Sequence, residues 1–354
     1  MKKIICLIMS MLMLISTLLM FVGCNNDNES AKEIVDMAGV TVEMPEKIDK
    51  VICTTQNAME FMVAMGLEDK LIGIHNSVFV HAWTPEYMKN TENIKKFGYA
   101  PAAEAVYESG ADLVIVKSAE VAAELRAVGI TAITFKYGSS AELIKAVKML
   151  GDVFGGEAKE FANRWTDCYE NTVATLRDKF SGLNEDDKIK AYFIDASGAL
   201  DAGGLTTTVG GDHIVAEWFD IAGASLVTKE YTNISSINEE EILEINPEWI
   251  MIGGWCENTR KEQLLNDVKW ADVDAVKNNN VYLVPVGFVS FERYAVEAPI
   301  LLMYTATLMY PELIEYDTVA EFQAFFNEYF GIDVSEEKIN YMLQGLSPNG
   351  ERMD

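Results

Sequence analysis

The stretch Ile48-Asp49-Lys50-Val51-Ile52-Cys53-Thr54-Thr55-Gln56-Asn57 decides the fold. An apolar, partly β-branched run reads as a strand. It ends in a polar turn, and the pattern that follows to Leu67 has helical periodicity. A second strand reads from Lys70 to His75. Two more short β-branched runs, Asp112 to Lys117 and Ile130 to Phe135, are separated by the helical pattern Ala119 to Val128. Strands that alternate with helices predict βαβ units and a parallel sheet, because a parallel pair needs a crossover of helical length. A first α/β lobe is therefore expected over about residues 34–140.

Working outward, a helix runs from Ser139 to about Val153, Gly155-Gly156 punctuates it, and a second helical pattern continues from Glu157 to about Phe180. Phe161, Trp165, Cys168, Val173 and Leu176 give that pattern an apolar stripe, and it contains no proline. Such a helix suits a rigid strut, so residues 141–187 are expected to connect two lobes. The strand-and-helix alternation then resumes. Strands are expected at Ile189 to Asp195, Trp249 to Ile252 and Val281 to Val284, with helices at Asp212 to Ala222, Lys261 to Val268 and Val296 to Met309. The expected second lobe spans 188–310, and two amphipathic pieces in 311–354 are expected to pack on its outside. The predicted fold class is α/β, with two Rossmann-like lobes of parallel sheet joined by one long helix and a ligand cleft between them.

One spacing recurs in both halves. Glu104 precedes Asp112 by eight residues and Glu240 precedes Glu248 by eight, in each case as a short helix feeding a buried strand. The pair suggests pseudo-symmetry between the lobes.

The chain begins with Lys2 and Lys3, an uncharged run from Ile4 to Val22, and Phe21-Val22-Gly23-Cys24 before a polar stretch. This is an export pattern. The apolar run is also long enough to span a membrane as an uncleaved anchor. The four residues ending at Cys24 resemble a bacterial lipobox, which implies a signal peptide over 1–23, lipidation of Cys24 and a tether over 24–33. Either way the mature chain faces outward, anchored to the cell membrane. The formal charge is −27; loss of Lys2 and Lys3 with the signal makes it −29 and argues against nucleic acid as a partner. Cys53, Cys168 and Cys256 then remain, without CxxC spacing, so neither a disulfide framework nor a structural zinc site is expected.

Taken in order, these segments resemble the substrate-binding proteins of ABC importers for iron-siderophores, haem and cobalamin. Asp36 to Pro45 is similar to that family's opening hairpin, and Glu60 to Ile74 to its first helix and second strand. Ala222-Gly223-Ala224 and Asn246-Pro247-Glu248 are similar to segments of its second lobe. The resemblance implies a monomer that captures a small ligand, an iron-siderophore or related metal chelate, between lobes of limited relative movement. It implies delivery to a permease and its ATPase, with Glu104 and Glu240 pairing with permease arginines. No cofactor and no enzymatic activity are expected.

Ligands of parallel α/β sheets lie beyond the carboxyl ends of the strands. That geometry selects Thr55, Gln56, Asn57, His75, Lys117 and Tyr137 in the first lobe, and Ser197, Thr207, Trp255, Arg293 and Tyr294 in the second. Arginine beside aromatic residues suits an anionic or aromatic chelate. The segment Gly203 to Gly211, rich in N–H and hydroxyl donors, admits an oxyanion such as molybdate or tungstate instead, but lacks the lysine-serine ending of a phosphate loop. A free metal ion would need convergence of His75 and His81 with Asp195 or Glu292, and His213 with Glu217 is a second candidate ligand pair. The rival from another class is a surface metal-dependent hydrolase using His75, His81 and Asp195. Neither GxSxG nor HExxH occurs.

Overall fold

In the computed structural model, the residues described are 32–89, 91–196, 204–254 and 257–353. Cys24, Ser197, Trp255 and Cys256 lie outside them. The chain opens with an antiparallel hairpin, β1 (Glu33–Val35) and β2 (Thr41–Glu43). Asp36 shapes its turn: the carboxylate accepts the Ala38 and Val40 amides at 2.9 Å, and its other oxygen accepts Thr134 N at 3.0 Å and Arg126 Nη1 at 3.2 Å. The hairpin is thereby tied to the edge of the first sheet.

The first lobe follows as β3 (Val51–Cys53), α1 (Gln56–Ala64), β4 (Leu71–His75), the short α2 (Thr84–Tyr87), β5 (Lys95–Phe97), α3 (Ala103–Ser109), β6 (Leu113–Val116), α4 (Ala119–Ala127) and β7 (Ala132–Thr134). Its five strands are parallel in the order β5-β4-β3-β6-β7. The order reverses between β3 and β6, which opens a crevice at their carboxyl ends.

Two helices lead away: α5 (Ser140–Phe154), capped by Ser139 Oγ on Glu142 N, and α6 (Gly156–Lys179), 24 residues or about 36 Å long. Gly155, at φ 67°, makes the break between them. Phe61 of the first lobe packs edge-on against Trp165 at 5.0 Å, and Trp165 Nε1 donates to Val296 O of the second lobe at 2.8 Å. The long helix is therefore the spine on which both lobes rest.

The second lobe comprises β8 (Ile189–Ala196), α7 (Ile214–Ile221), β9 (Ala224–Leu226), α8 (Glu239–Ile245), β10 (Trp249–Gly254), α9 (Glu257–Asn266), α10 (Asp274–Lys277), β11 (Val281–Leu283) and α11 (Ala298–Met309). Its four described strands are parallel in the order β11-β10-β8-β9. The chain is thus an α/β protein of two parallel-sheet lobes on one long helix.

The repeated eight-residue spacing has a physical cause. Asp112 Oδ2 accepts the Asp49 and Lys50 amides at 2.9 and 2.8 Å, just before β3 begins, while Asp112 N donates to Lys50 O. Glu248 Oε2 accepts Lys190 N at 2.9 Å at the start of β8, while Glu248 N donates to Lys190 O. In each lobe a carboxylate satisfies backbone donors at the start of the first strand. The helix before it, α3 or α8, ends in a left-handed residue, Gly110 or Asn246.

Two strands escaped the sequence reading. β5 begins with two exposed lysines, and β9 is only three residues long; both are edge strands without an apolar run to announce them. The C-terminal helices α12 (Thr318–Phe330) and α13 (Glu336–Leu343) also differ from expectation, because they reach the first lobe as well as the second. Tyr87 packs edge-on against Phe326 and Phe330, Lys338 pairs with Glu86 at 2.5 Å, and Trp83 Nε1 donates to Leu346 O at 2.9 Å. Amphipathicity shows that a helix has a buried face but not which element covers it. Phe61, Trp165, Trp218, Tyr294 and Phe326 belong to one continuous core that runs through both lobes.

Candidate functional site

The reversal of strand order places a cleft of about 740 Å³ at the carboxyl ends of β3, β6 and β7, closed from the other side by second-lobe residues. Thr55, Gln56 and Asn57 enter it at the start of α1. Lys117 and Ser118 follow β6, Lys136 and Tyr137 follow β7, Tyr99 follows β5, and His213, Glu292 and Arg293 come from the second lobe. The volume lies within the range of small-molecule sites.

The first-lobe wall is held by its own bonds. Gln56 Nε2 donates to Ser77 Oγ at 2.9 Å, and Ser77 Oγ meets His75 Nδ1 at 2.6 Å. The His75 ring lies under Tyr99, stacked at 3.8 Å with an interplanar angle of 25°. His75 is thus a support rather than a lining residue, and burial lowers its pKa. Tyr99 is 57% exposed and lines the cleft.

Across the cleft floor the lobes are bonded. Asn57 Nδ2 donates to Arg293 O at 2.7 Å and to Tyr137 Oη, and Tyr137 Oη donates to Tyr294 O at 2.9 Å. Tyr294 holds φ 58°, a left-handed conformation that a non-glycine residue rarely adopts. Its hydroxyl is anchored to Tyr169 Oη at 2.9 Å on α6, which in turn meets Ser140 Oγ at 2.6 Å. This buried chain aims the Arg293 and Tyr294 carbonyls at the first lobe and leaves the Arg293 side chain facing the cleft.

Lys117, Lys136 and Arg293 line the cleft against the carboxylates Glu120 and Glu292. Glu120 is bonded to Ser118 Oγ at 2.6 Å and its pKa is lowered by that bond. Burial pushes the Glu292 carboxyl up to about 7, against the opposing pull of Arg293, whose Nε lies 3.7 Å from Glu292 Oε1. Burial also lowers the pKa of His213. The cleft therefore carries an excess of positive charge on a strongly acidic chain. Such a site concentrates an anionic ligand, and Tyr99 and Tyr137 offer it ring faces and edges.

Of the residues selected from sequence, Thr55, Gln56, Asn57, Lys117, Tyr137 and Arg293 line the cleft together. Tyr294 is 1% exposed and turned into the core, where it positions its neighbour. Thr207 pairs with Ser236 in an isolated bridge, and its carbonyl accepts Asp195 N at 2.9 Å. In the glycine-rich segment, a Cβ on Gly210 or Gly211 would collide with the Tyr231 or Lys229 carbonyl, so those glycines serve close backbone packing. Glu217 does not join His213 as a ligand pair; its Oε2 accepts Ser140 N at 2.8 Å. Among the described residues no group of three or more His, Cys, Asp or Glu is arranged to hold a metal ion.

Sequence reasoning missed Tyr99 and Lys136. Tyr99 follows the unrecognised strand β5, and Lys136 directly follows an apolar run; once the strand order is known, both fall at carboxyl ends.

A model of the family described as periplasmic binding protein matches residues 51–286. An uncharacterized ABC transporter substrate-binding lipoprotein of Bacillus subtilis, YvrC, is 23% identical over 283 residues, covering 74% of this chain and 85% of that protein. The iron(3+)-hydroxamate-binding protein FhuD of the same organism is 23% identical over 285 residues, covering 75% and 86%. A periplasmic solute binding protein from Veillonella parvula shares the fold with a TM-score of 0.76 at 21% identity, over 90% of this chain and 99% of that one.

Proposed function

We propose that this chain, which belongs to the periplasmic binding protein family, captures an anionic metal chelate outside the cell, an iron-siderophore or a related chelate such as haem or a corrinoid. Its general role is that of a substrate-binding protein of an ABC transporter, which works with a permease and is not an enzyme. The observation that carries the finer reading is the cleft itself, where Lys117, Lys136 and Arg293 together with Tyr99 and Tyr137 line about 740 Å³. A chelated metal presents an outer surface of oxygen atoms and flat rings, which this lining suits without any direct metal ligand. That FhuD is described as binding a ferric hydroxamate favours the same class. A lone tetrahedral oxyanion would leave most of the cleft filled with water, and Gly210 and Gly211 of the segment that suggested one are taken up in backbone packing.

Lipidation at Cys24 would tether the protein outside the membrane, and the relative YvrC is described as a lipoprotein. Among the described residues no helix is long and apolar enough to cross a membrane. For docking to the permease we propose Glu104 and Glu240. Both are exposed in the first turn of helices that connect parallel strands, α3 and α8, so both lie toward the carboxyl-end side of their sheets, where the cleft opens.

Native mass spectrometry with an absorbance spectrum of freshly purified mature protein tests the ligand class. A co-purified coloured ferric chelate, haem or corrinoid is expected. Stoichiometric molybdate, or chemical conversion of a bound compound, would overturn the proposal.

A further inference from the structure

Behind the cleft floor the lobes meet at a second polar contact. Glu60 lies on α1 one turn beyond Asn57, and Glu297 lies four residues beyond Arg293, immediately before α11. They are 0% and 1% exposed, and all four carboxyl oxygens are buried without a hydrogen-bond partner among the described residues. The Tyr87 hydroxyl of α2 is buried at the same place. A Cβ on Gly287 would lie 2.8 Å from Tyr87 Oη and 3.3 Å from Glu297 Oε1.

The charged and titratable groups that face this pocket are few. Tyr87 comes from α2, with Glu86 beyond it, and Tyr137 comes from the segment after β7. The Val296 and Glu297 amides lean toward the carboxyls, but no lysine, arginine or histidine among the described residues acts on either. Burial raises the pKa of both groups. Two adjacent carboxyls in a dry interior without a cation cannot both ionise in place.

We propose that Glu60 and Glu297 form a proton-sharing carboxyl pair that latches the first lobe to the second, so that the arrangement of the cleft floor depends on a proton held between them. The protonated partner donates its O–H to the ionised one, a charge-assisted bond. Loss of that proton sets two negative charges side by side. The relief open to them is separation of α1 from the segment that precedes α11. Those two segments also carry the Asn57–Arg293 bond, so the latch and the ligand site move together. The continuous core and the spine helix keep the movement small. Ligand is held with the proton on and released more readily with it off.

A carboxyl whose pKa is higher in the folded than in the unfolded state contributes stability that is present at low pH and lost as pH rises through the folded value. Thermal melts of the mature protein and of Glu60→Gln and Glu297→Gln, from about pH 5 to about pH 9, test this. Either amide replaces the shared proton permanently. Each variant should therefore melt about 5 °C above wild type at the alkaline end, with the difference closing toward acid. Amide hydrogen exchange at the alkaline end should be faster in wild type at both the Asn57 and the Arg293 segments. The infrared difference between wild type and E60Q/E297Q at neutral pH should show the carbonyl stretch of a protonated carboxyl. Parallel melting curves for wild type and both single variants, or no protonated-carboxyl band, would overturn the proposal. If one single variant does not fold, the other gives the same comparison.

Discussion

Asn57→Ala tests the bonded cleft floor. Asn57 Nδ2 donates to Arg293 O at 2.7 Å and to Tyr137 Oη. Truncation removes two neutral hydrogen bonds but leaves each oxygen one contact. Tyr137 Oη still donates its single proton to Tyr294 O at 2.9 Å, with Arg293 O as a longer second acceptor at 3.3 Å. The cost is therefore about 1 kcal/mol per bond, about 2 kcal/mol in total, without the larger penalty of a buried unsatisfied group. For a chain of this size that corresponds to a fall in Tm of about 3 °C. Tyr137→Phe removes the shared hydroxyl from the other side. Urea melts of both single variants and the double variant form a cycle. Because the groups share partners, the double variant should lose less than the sum by at least about 0.5 kcal/mol. Additivity within about 0.3 kcal/mol, or an N57A protein as stable as wild type, would show that the bonds do not act as one unit.

Lys117→Glu should weaken binding of an anionic ferric chelate about tenfold or more, with the loss shrinking as salt rises, measured by calorimetric titration at two ionic strengths. Glu292 has its carboxyl raised to about 7 from an ordinary 4.5, so it ionises in the cleft near neutrality; affinity for an anionic ligand should fall as pH rises through about 7, and Glu292→Gln should remove that step while leaving any fall due to the Glu60–Glu297 pair. Gly211→Ala drives a Cβ into the Lys229 carbonyl and should cost about 3 kcal/mol, visible in a circular dichroism melt. Charge reversal of Glu104 and Glu240 together should abolish cellular uptake while leaving ligand affinity in solution unchanged; lost affinity would contradict the docking role.

Much of the architecture was legible because burial on both faces of a parallel sheet imposes continuous apolar runs. Val51–Cys53, Leu113–Val116 and Trp249–Ile252 announce themselves in this way. Lys95–Phe97 does not, since an edge strand exposes its lysines, and the loop it feeds, with Tyr99, was lost with it. The sequence pattern leads to cleft-lining positions where polar residues directly follow a strand, as at Thr55 to Asn57 and Lys117. Tyr294 shows the opposite case. An arginine and a tyrosine side by side both look like ligand contacts, yet a left-handed backbone at Tyr294 sends one side chain to the cleft and the other into the core. Sequence periodicity carries no information about that angle. The pairing of Glu60 with Glu297 was invisible for a related reason, as each carboxylate belongs to a different lobe and only the packing of α1 against the start of α11 brings them together.

The central claim is that the cationic, aromatic cleft holds an anionic metal chelate and releases it unchanged. The direct measurement is a thermal-shift titration of the mature protein with ferric hydroxamate and ferric catecholate chelates, haem, cobalamin and molybdate, with recovery of the ligand afterwards. The account predicts saturable stabilisation by an anionic chelate, weakened in Lys117→Glu and Arg293→Gln, with the chelate recovered intact. Stabilisation by none of these chelates, by molybdate alone, or equally by the variants would contradict it.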